Sequence, residues 1–116
     1  MPPDRDAAAV LDILTAARLV LEFRGDLARE AFLKDAKTQS AVIHQFLVMG
    51  EAAKRISEEF KTRHPQVPWR EMARMRDKLV HHYEAVDPKE VWRAIEEDIP
   101  ALLKTLGPAA PLAPDG

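Results

Sequence analysis

The sequence predicts an all-α protein, an antiparallel four-helix bundle with room for one short extra helix. Three observations predict it. Apolar residues recur at alternating steps of three and four along four stretches, no stretch shows the period of two expected of a strand, and the breaks between stretches are short. Short connections make antiparallel neighbours. At 116 residues the chain suffices for one core and not for two, and its 47% apolar and 31% charged content is that of an ordinary soluble domain. Residues 1–107 are expected to form one helical domain. The proline- and alanine-rich stretch 108–116 has no period and is expected to be a disordered tail.

The first helix is expected to be capped by Asp4 or Asp6 and to run to about Gly25, burying Val10, Ile13, Leu14, Ala17 and Leu21. Leu27 to Leu33 forms either a short turn of helix or a plain connection. The second helix is expected from near Asp35 to Arg63, on the strongest period in the chain: Val42, Phe46, Met49, Ala53, Ile56 and Phe60. Gly50 interrupts it. A mid-helix glycine costs about 1 kcal/mol relative to alanine, so its presence predicts close approach of another helix.

Pro65 ends that helix, because the residue before a proline avoids the α region. Pro65 to Trp69 is a stiff connection, Pro68 suits the first position of the third helix, and that helix ends between His81 and Ala85. Asp87-Pro88-Lys89-Glu90 announces the fourth with an N-cap, a proline at the first helical position and a glutamate three residues after the cap. Val91, Ile95, Ile99, Leu102 and Leu106 line its face, Pro100 bends it, and Gly107-Pro108 stops it.

Composition narrows function. No run of eighteen apolar residues exists to span a membrane, and Met1-Pro2-Pro3-Asp4-Arg5-Asp6 lacks the pattern of a signal peptide, so the expected location is the cytoplasm. The absence of cysteine excludes disulfides, thiolate metal sites and cysteine nucleophiles. A net charge of −2 gives no global pull toward nucleic acid, but Lys54 to Lys78 holds eight bases against four acids, and Glu84 to Asp98 six acids against two bases. Ser40 and Ser57 fall inside the second expected helix with no glycine elbow, which argues against a serine hydrolase.

One stretch breaks the pattern. Trp69, Met72, Arg76, Leu79 and Tyr83 form a helical stripe that is apolar or aromatic except for the guanidinium at its centre. Taking a charge out of water costs roughly several kcal/mol unless it is paired, so Arg76 points to a polar cleft or a subunit interface. Of the four histidines, His44 and His64 read as structural or surface residues. His81 and His82 lie within about a turn of Arg76 and beside Tyr83, the only tyrosine. Adjacent helical residues point about 100° apart and no further ligands complete a site, so no metal centre is expected.

Arg76, four residues, His81, one residue and Tyr83 make an RX4HXY string. With Asp12-Ile13-Leu14, Gly50-Glu51-Ala52, Val67-Pro68-Trp69, Val86-Asp87, Val91-Trp92 and Asp98-Ile99-Pro100, it resembles the HEPN-domain toxins. The likeness is to their HepT-like branch, the partners of MntA-type minimal nucleotidyltransferase antitoxins. Asp77 stands where that branch usually has asparagine; an acid there could pair with Arg76 or Lys78 and lower activity.

The resemblance implies a HEPN-type bundle and a metal-independent endoribonuclease without a cofactor, with tRNA among the substrates of the group. His81 would move protons, Arg76 would stabilise the charge on the pentacoordinate phosphorus, and Asp77 would orient one of them. Tyr83 would accept AMP from the antitoxin, which silences the toxin. Arg70, Arg74 and Lys78, a ridge at four-residue spacing, read either as a phosphate-contacting rim joined by His82 or as solvated helix surface. Glu51 is a candidate partner for an arginine of the third helix.

Five residues at about 100° each place His81 roughly 140° around a regular helix from Arg76. Either the helix unwinds near His81, or a twofold axis brings Arg76 of one chain to His81 of another, and a dimer with a shared cleft is the favoured expectation. The rival readings are a non-catalytic helical subunit or AMP-acceptor partner of a nucleotidyltransferase, and a structural dimer with a vestigial motif.

Overall fold

A computed structural model describes residues 3–111, and the side chains from residue 5 onward. Among the described residues there is no strand. Helix α1 spans Pro3–Arg24 and ends at Gly25, whose φ of +54° is the left-handed cap that closes a helix, with its N–H donating to the Leu21 carbonyl. Asp6 does not cap it. It sits inside the helix, buried, and accepts from the backbone N–H of Ser57 at 2.8 Å and the Ser57 hydroxyl at 2.6 Å. The Asp4 side chain and residues 112–116 lie outside the described part.

Leu27 to Leu33 does contain a helical turn, α2, at Arg29–Phe32. It buries Phe32 completely against the core, with its ring 5.4 Å from that of Trp92. Helix α3, Ala36–Arg55, starts at an Asp35 cap that accepts from Thr38 N–H at 3.0 Å. The single helix expected to Arg63 is instead two. Ile56 and Ser57 are extended, and α4, Glu58–Arg63, begins with the Ser57 hydroxyl accepting from Phe60 N–H at 3.1 Å. The cause is long-range: Asp6 on α1 takes up the Ser57 N–H, which a continuous helix would have bonded internally.

Helix α5, Trp69–His81, begins one residue later than expected; Pro68 is its cap, and the Pro68 carbonyl accepts from Met72 N–H. His82 leaves the helix and Tyr83–Ala85 form a 3₁₀ turn, so Tyr83 is not on the helical stripe, which stops at Leu79. Asp87 caps α6, Pro88–Arg93, as expected, accepting from Lys89 N–H at 2.9 Å. Glu90 does not reach back to complete a capping box; it bonds Lys78. A π turn, Ala94–Asp98, follows and leads into α7, Ile99–Leu106. The widened turn lies just before Pro100, whose missing N–H and bulky ring do not fit a regular α-helical ladder. Gly107–Ala109 close the rod in a 3₁₀ turn, and Ala109 and Ala110 pack partly on the core.

Helix α3 lies between α1 and α5, while α7 packs on α1. Asp6 meets Ser57 and Asp12 meets Arg55, so α1 and α3 run in opposite directions. The core joins Val10, Ile13 and Leu14 to Val42, Met49, Ile95, Ile99, Leu102 and Leu106. Leu21, expected at the interior, is only partly buried, and Val20 takes the buried place beside it. Gly50 marks the seam between α3 and α5: a Cβ built there would lie 2.2 Å from Arg76 Cβ. No helix of the described residues is long and apolar enough to cross a membrane.

Candidate functional site

Because Gly50 lets α5 press onto α3, the base of the Arg76 side chain is seated against α3 and its guanidinium meets the residue after Gly50, Glu51. Arg76 Nε donates to Glu51 Oε1 at 2.7 Å, and Arg76 Nη1 donates to Asp77 Oδ1 at 3.1 Å. The Arg76 side chain is 23% exposed. Two carboxylates thus answer the question its place on an apolar stripe raised: the half-buried charge is paired. Glu51 and then Asp77 hold the guanidinium more firmly protonated than usual.

Lys54 Nζ donates to the same Asp77 Oδ1 at 2.7 Å. Lys54 first and Arg76 second keep the Asp77 carboxyl below the ordinary range. Of the two partners the sequence offered Asp77, Arg76 is therefore one and Lys78 is not. Lys78 turns to the other flank of α5, where its Nζ donates to both oxygens of Glu90 at 2.9 and 2.7 Å. Sequence reasoning missed Lys54. Its signal was the three-residue spacing from Glu51, which puts both on one helical face.

His81 is the last residue of α5 and is exposed, with His82 and Tyr83 exposed beyond it. Tyr83 is 57% accessible. Among the described residues none of these three side chains has a hydrogen-bond partner. The helix stays regular through the histidine, since His82 N–H still donates to the Lys78 carbonyl at 2.7 Å. The rotation of about 140° between Arg76 and His81 therefore stands within one chain. Unwinding begins one residue too late to bring them together.

Arg70 and Arg74 are exposed, without ion-pair partners among the described residues, and fall within about 20° of His81 around the helix. They and His81 share one open face, from which Lys78 is withdrawn. An apolar cavity of about 330 Å³ opens between α5 and the α6–α7 rod, over Phe46, Met49, Met72, Met75, Ile99 and Leu102. It includes neither Arg76 nor His81. Asp98 stands at its rim, its carboxyl raised by burial and opposed by Arg93. Among the described residues no group of three or more His, Asp or Glu is placed to hold a metal ion.

In chemical terms α5 carries, on two different faces, a cation fixed by carboxylates and an unencumbered imidazole with two free guanidinium groups, groups suited together to a phosphodiester. A family model described as ribonuclease HepT-like matches residues 13–108. The chain is 52% identical over 91 residues to a probable ribonuclease HepT of Thermococcus cleftensis, covering 78% of this chain and 83% of the relative. It is 42% identical over 105 residues to a putative RNase of Methanocaldococcus jannaschii, covering 90% and 87%. A putative RNase of Caldanaerobacter subterraneus is 37% identical over 92 residues, covering 79% and 82%. No solved structure matches.

Proposed function

The chain belongs to the HepT-like ribonuclease family, and on that premise we propose that it is the toxin of a toxin–antitoxin pair, a metal-independent endoribonuclease acting on RNA with tRNA as a candidate substrate. The observation that carries the reading is Arg76, held at the α3–α5 seam by Glu51, on the helix that ends in the unbonded imidazole of His81. In the proposed reaction the ribose 2′-oxygen attacks the adjacent phosphorus while His81 accepts its proton. Arg76 neutralises the charge that builds on the non-bridging oxygens. The P–O5′ bond then breaks, the 5′-oxygen takes up a proton, and a 2′,3′-cyclic phosphate remains. Histidine is suited to the proton transfer because its ordinary pKa lies near 6.5.

Within one regular helix Arg76 and His81 diverge, so the site is proposed to be composite, with Arg76 of one protomer facing His81 of a second across a twofold axis. Exposed Val80, at 47%, and Tyr83 lie at the end of α5 that such a contact would cover in part. Arg70 and Arg74 would line the RNA path. The cognate antitoxin would be a nucleotidyltransferase that silences the toxin by transferring AMP to Tyr83. A second reading, a non-catalytic AMP-acceptor partner of that transferase, draws on the same exposed phenol and on the Asp77 carboxylate that occupies Arg76.

The test is cleavage of total RNA and tRNA by the purified protein in excess chelator, beside His81→Ala and Arg76→Ala. Cutting by the wild type alone, with products ending in cyclic phosphate and all three proteins equally helical, supports the nuclease. An inactive wild type, or a His81→Ala protein that cuts equally well, moves the acceptor reading to the front.

A further inference from the structure

Arg76 and Lys54 come from different helices yet donate to one atom, Asp77 Oδ1, at 3.1 and 2.7 Å. A single anionic oxygen bridged by a guanidinium and an ammonium is the arrangement a non-bridging phosphate oxygen would adopt between the same two groups. From this juxtaposition we infer that Asp77 Oδ1 occupies the seat of a substrate phosphate oxygen, and that Lys54 is a second phosphate-contacting cation, unmasked when Asp77 swings aside. The inference rests on the RNA-cleaving reading above and adds to it a substrate contact on α3 and an internal competitor for it.

Three features of the network fit a displaceable carboxylate. Asp77, Glu51 and Lys54 are all open, with side chains 50%, 47% and 41% exposed against 23% for Arg76, and of the two carboxylates on Arg76 it is Asp77 that makes the longer contact, 3.1 Å against 2.7 Å. Asp77 can therefore rotate into solvent without disturbing the core, and exposed ion pairs of this kind are weakly held. Glu51 grips Arg76 through Nε, not through Nη1, so the guanidinium keeps its aim after Asp77 has gone. The charges also balance: Glu51 and Asp77 offset Arg76 and Lys54 in the free protein. Departure of Asp77 leaves one net positive charge at the seat, available only to an incoming anion.

This differs from a purely structural salt bridge in what it does to salt dependence. Cations already neutralised by a protein carboxylate release few counterions when RNA arrives, whereas free cations release them and steepen the dependence of binding on salt. Asp77→Asn should therefore bind RNA more tightly and with a steeper slope. If the seat is filled nine times in ten, the gain is about tenfold. Lys54→Met should bind more weakly with little change in slope, because Asp77 already masks Lys54 in the free protein, while Lys54→Arg stays near wild type; in the Asp77→Asn background the same change should make the slope shallower by about one. In the Lys54→Met, Asp77→Asn double variant much of the gain should disappear, because one of the two unmasked cations is missing.

The experiment is equilibrium binding of a single-stranded 2′-O-methyl RNA, which cannot be cleaved by its own 2′-oxygen, over a series of salt concentrations, with helicity checked for each variant. The pattern above supports the inference. Equal affinity and slope for wild type, Asp77→Asn and Lys54→Met overturns it while leaving the ribonuclease reading in place. If none of the proteins binds RNA at low salt, both readings fall together.

Discussion

Replacing Gly50 with alanine probes the contact on which the site depends. The added Cβ would lie 2.2 Å from Arg76 Cβ and 2.8 Å from the Met72 carbonyl oxygen. Neither neighbour can turn away, because both are fixed to the α5 backbone. Carbon contacts become favourable only near 3.5 Å, so α5 must retreat by about 1.3 Å. Overpacking of this kind costs about 1–3 kcal/mol, and a forced helix movement belongs at the upper end. Alanine returns about 1 kcal/mol in helix propensity.

The net loss is about 2 kcal/mol, a fall in Tm of about 8 °C or more for a domain of this size. Thermal unfolding followed by circular dichroism measures it. Gly107→Ala is the control: nothing lies within 4 Å of its added Cβ, and its Tm should hold or rise slightly. Gly25→Ala, at φ +54°, should lose about 1 kcal/mol from backbone strain alone. An unchanged or higher Tm for Gly50→Ala would refute the close seam. With Arg76 displaced by more than 1 Å, RNA cleavage should also fall about a hundredfold.

Other expectations follow from single contacts. Ser57, chiefly through its hydroxyl, holds the buried Asp6 carboxyl below the ordinary carboxylate range. A depressed carboxyl stabilises the fold above its unfolded pKa, and that contribution is lost as pH falls through the folded value; Asp6→Asn should flatten the loss of stability below about pH 4, read from urea midpoints against pH. At neutral pH the same variant should lose about 1–3 kcal/mol as the charge-assisted bonds to Ser57 weaken. Phe32→Ala, emptying a fully buried site under Trp92, should cost about 3–5 kcal/mol by urea denaturation. Glu51→Ala removes the anchor on Arg76 Nε; kcat should fall about tenfold to a hundredfold with little change in Tm, because Glu51 itself is 47% exposed.

Much of the fold was legible because helical periodicity records which face is buried. The Val10 to Ala17 face, the α3 stripe, the Asp87-Pro88 start and the glycine at the close seam all lie where the pattern placed them. What escaped was set by distant or competing contacts. The apolar period runs unbroken through Ile56 and Phe60, so nothing in that rhythm signals the break at Ser57; its cause is Asp6, 51 residues away. Ser57-Glu58-Glu59 was nonetheless a legible cap with acids in the first turn. Pro100 announced a distortion but not its form, a π turn on its N-terminal side.

At the site, the lone arginine on an apolar stripe announced a polar cleft or a subunit interface, and Glu51 was a candidate partner for an arginine of the third helix; the structure pairs Glu51 with Arg76. Lys54 and Lys78 were harder to place. Long, flexible side chains on a helix surface can turn to either flank, and only the neighbouring helices decide that one meets Asp77 and the other Glu90.

A cleft made from Arg76 of one protomer and His81 of another can be separated from a site within one chain by subunit mixing. Arg76→Ala and His81→Ala, each inactive alone, are unfolded together, refolded at equal concentration and assayed on RNA in chelator. Half the dimers should be mixed, each with one intact site of two, so about a quarter of wild-type activity should return. No recovery from a mixture shown to contain mixed dimers would contradict the shared cleft.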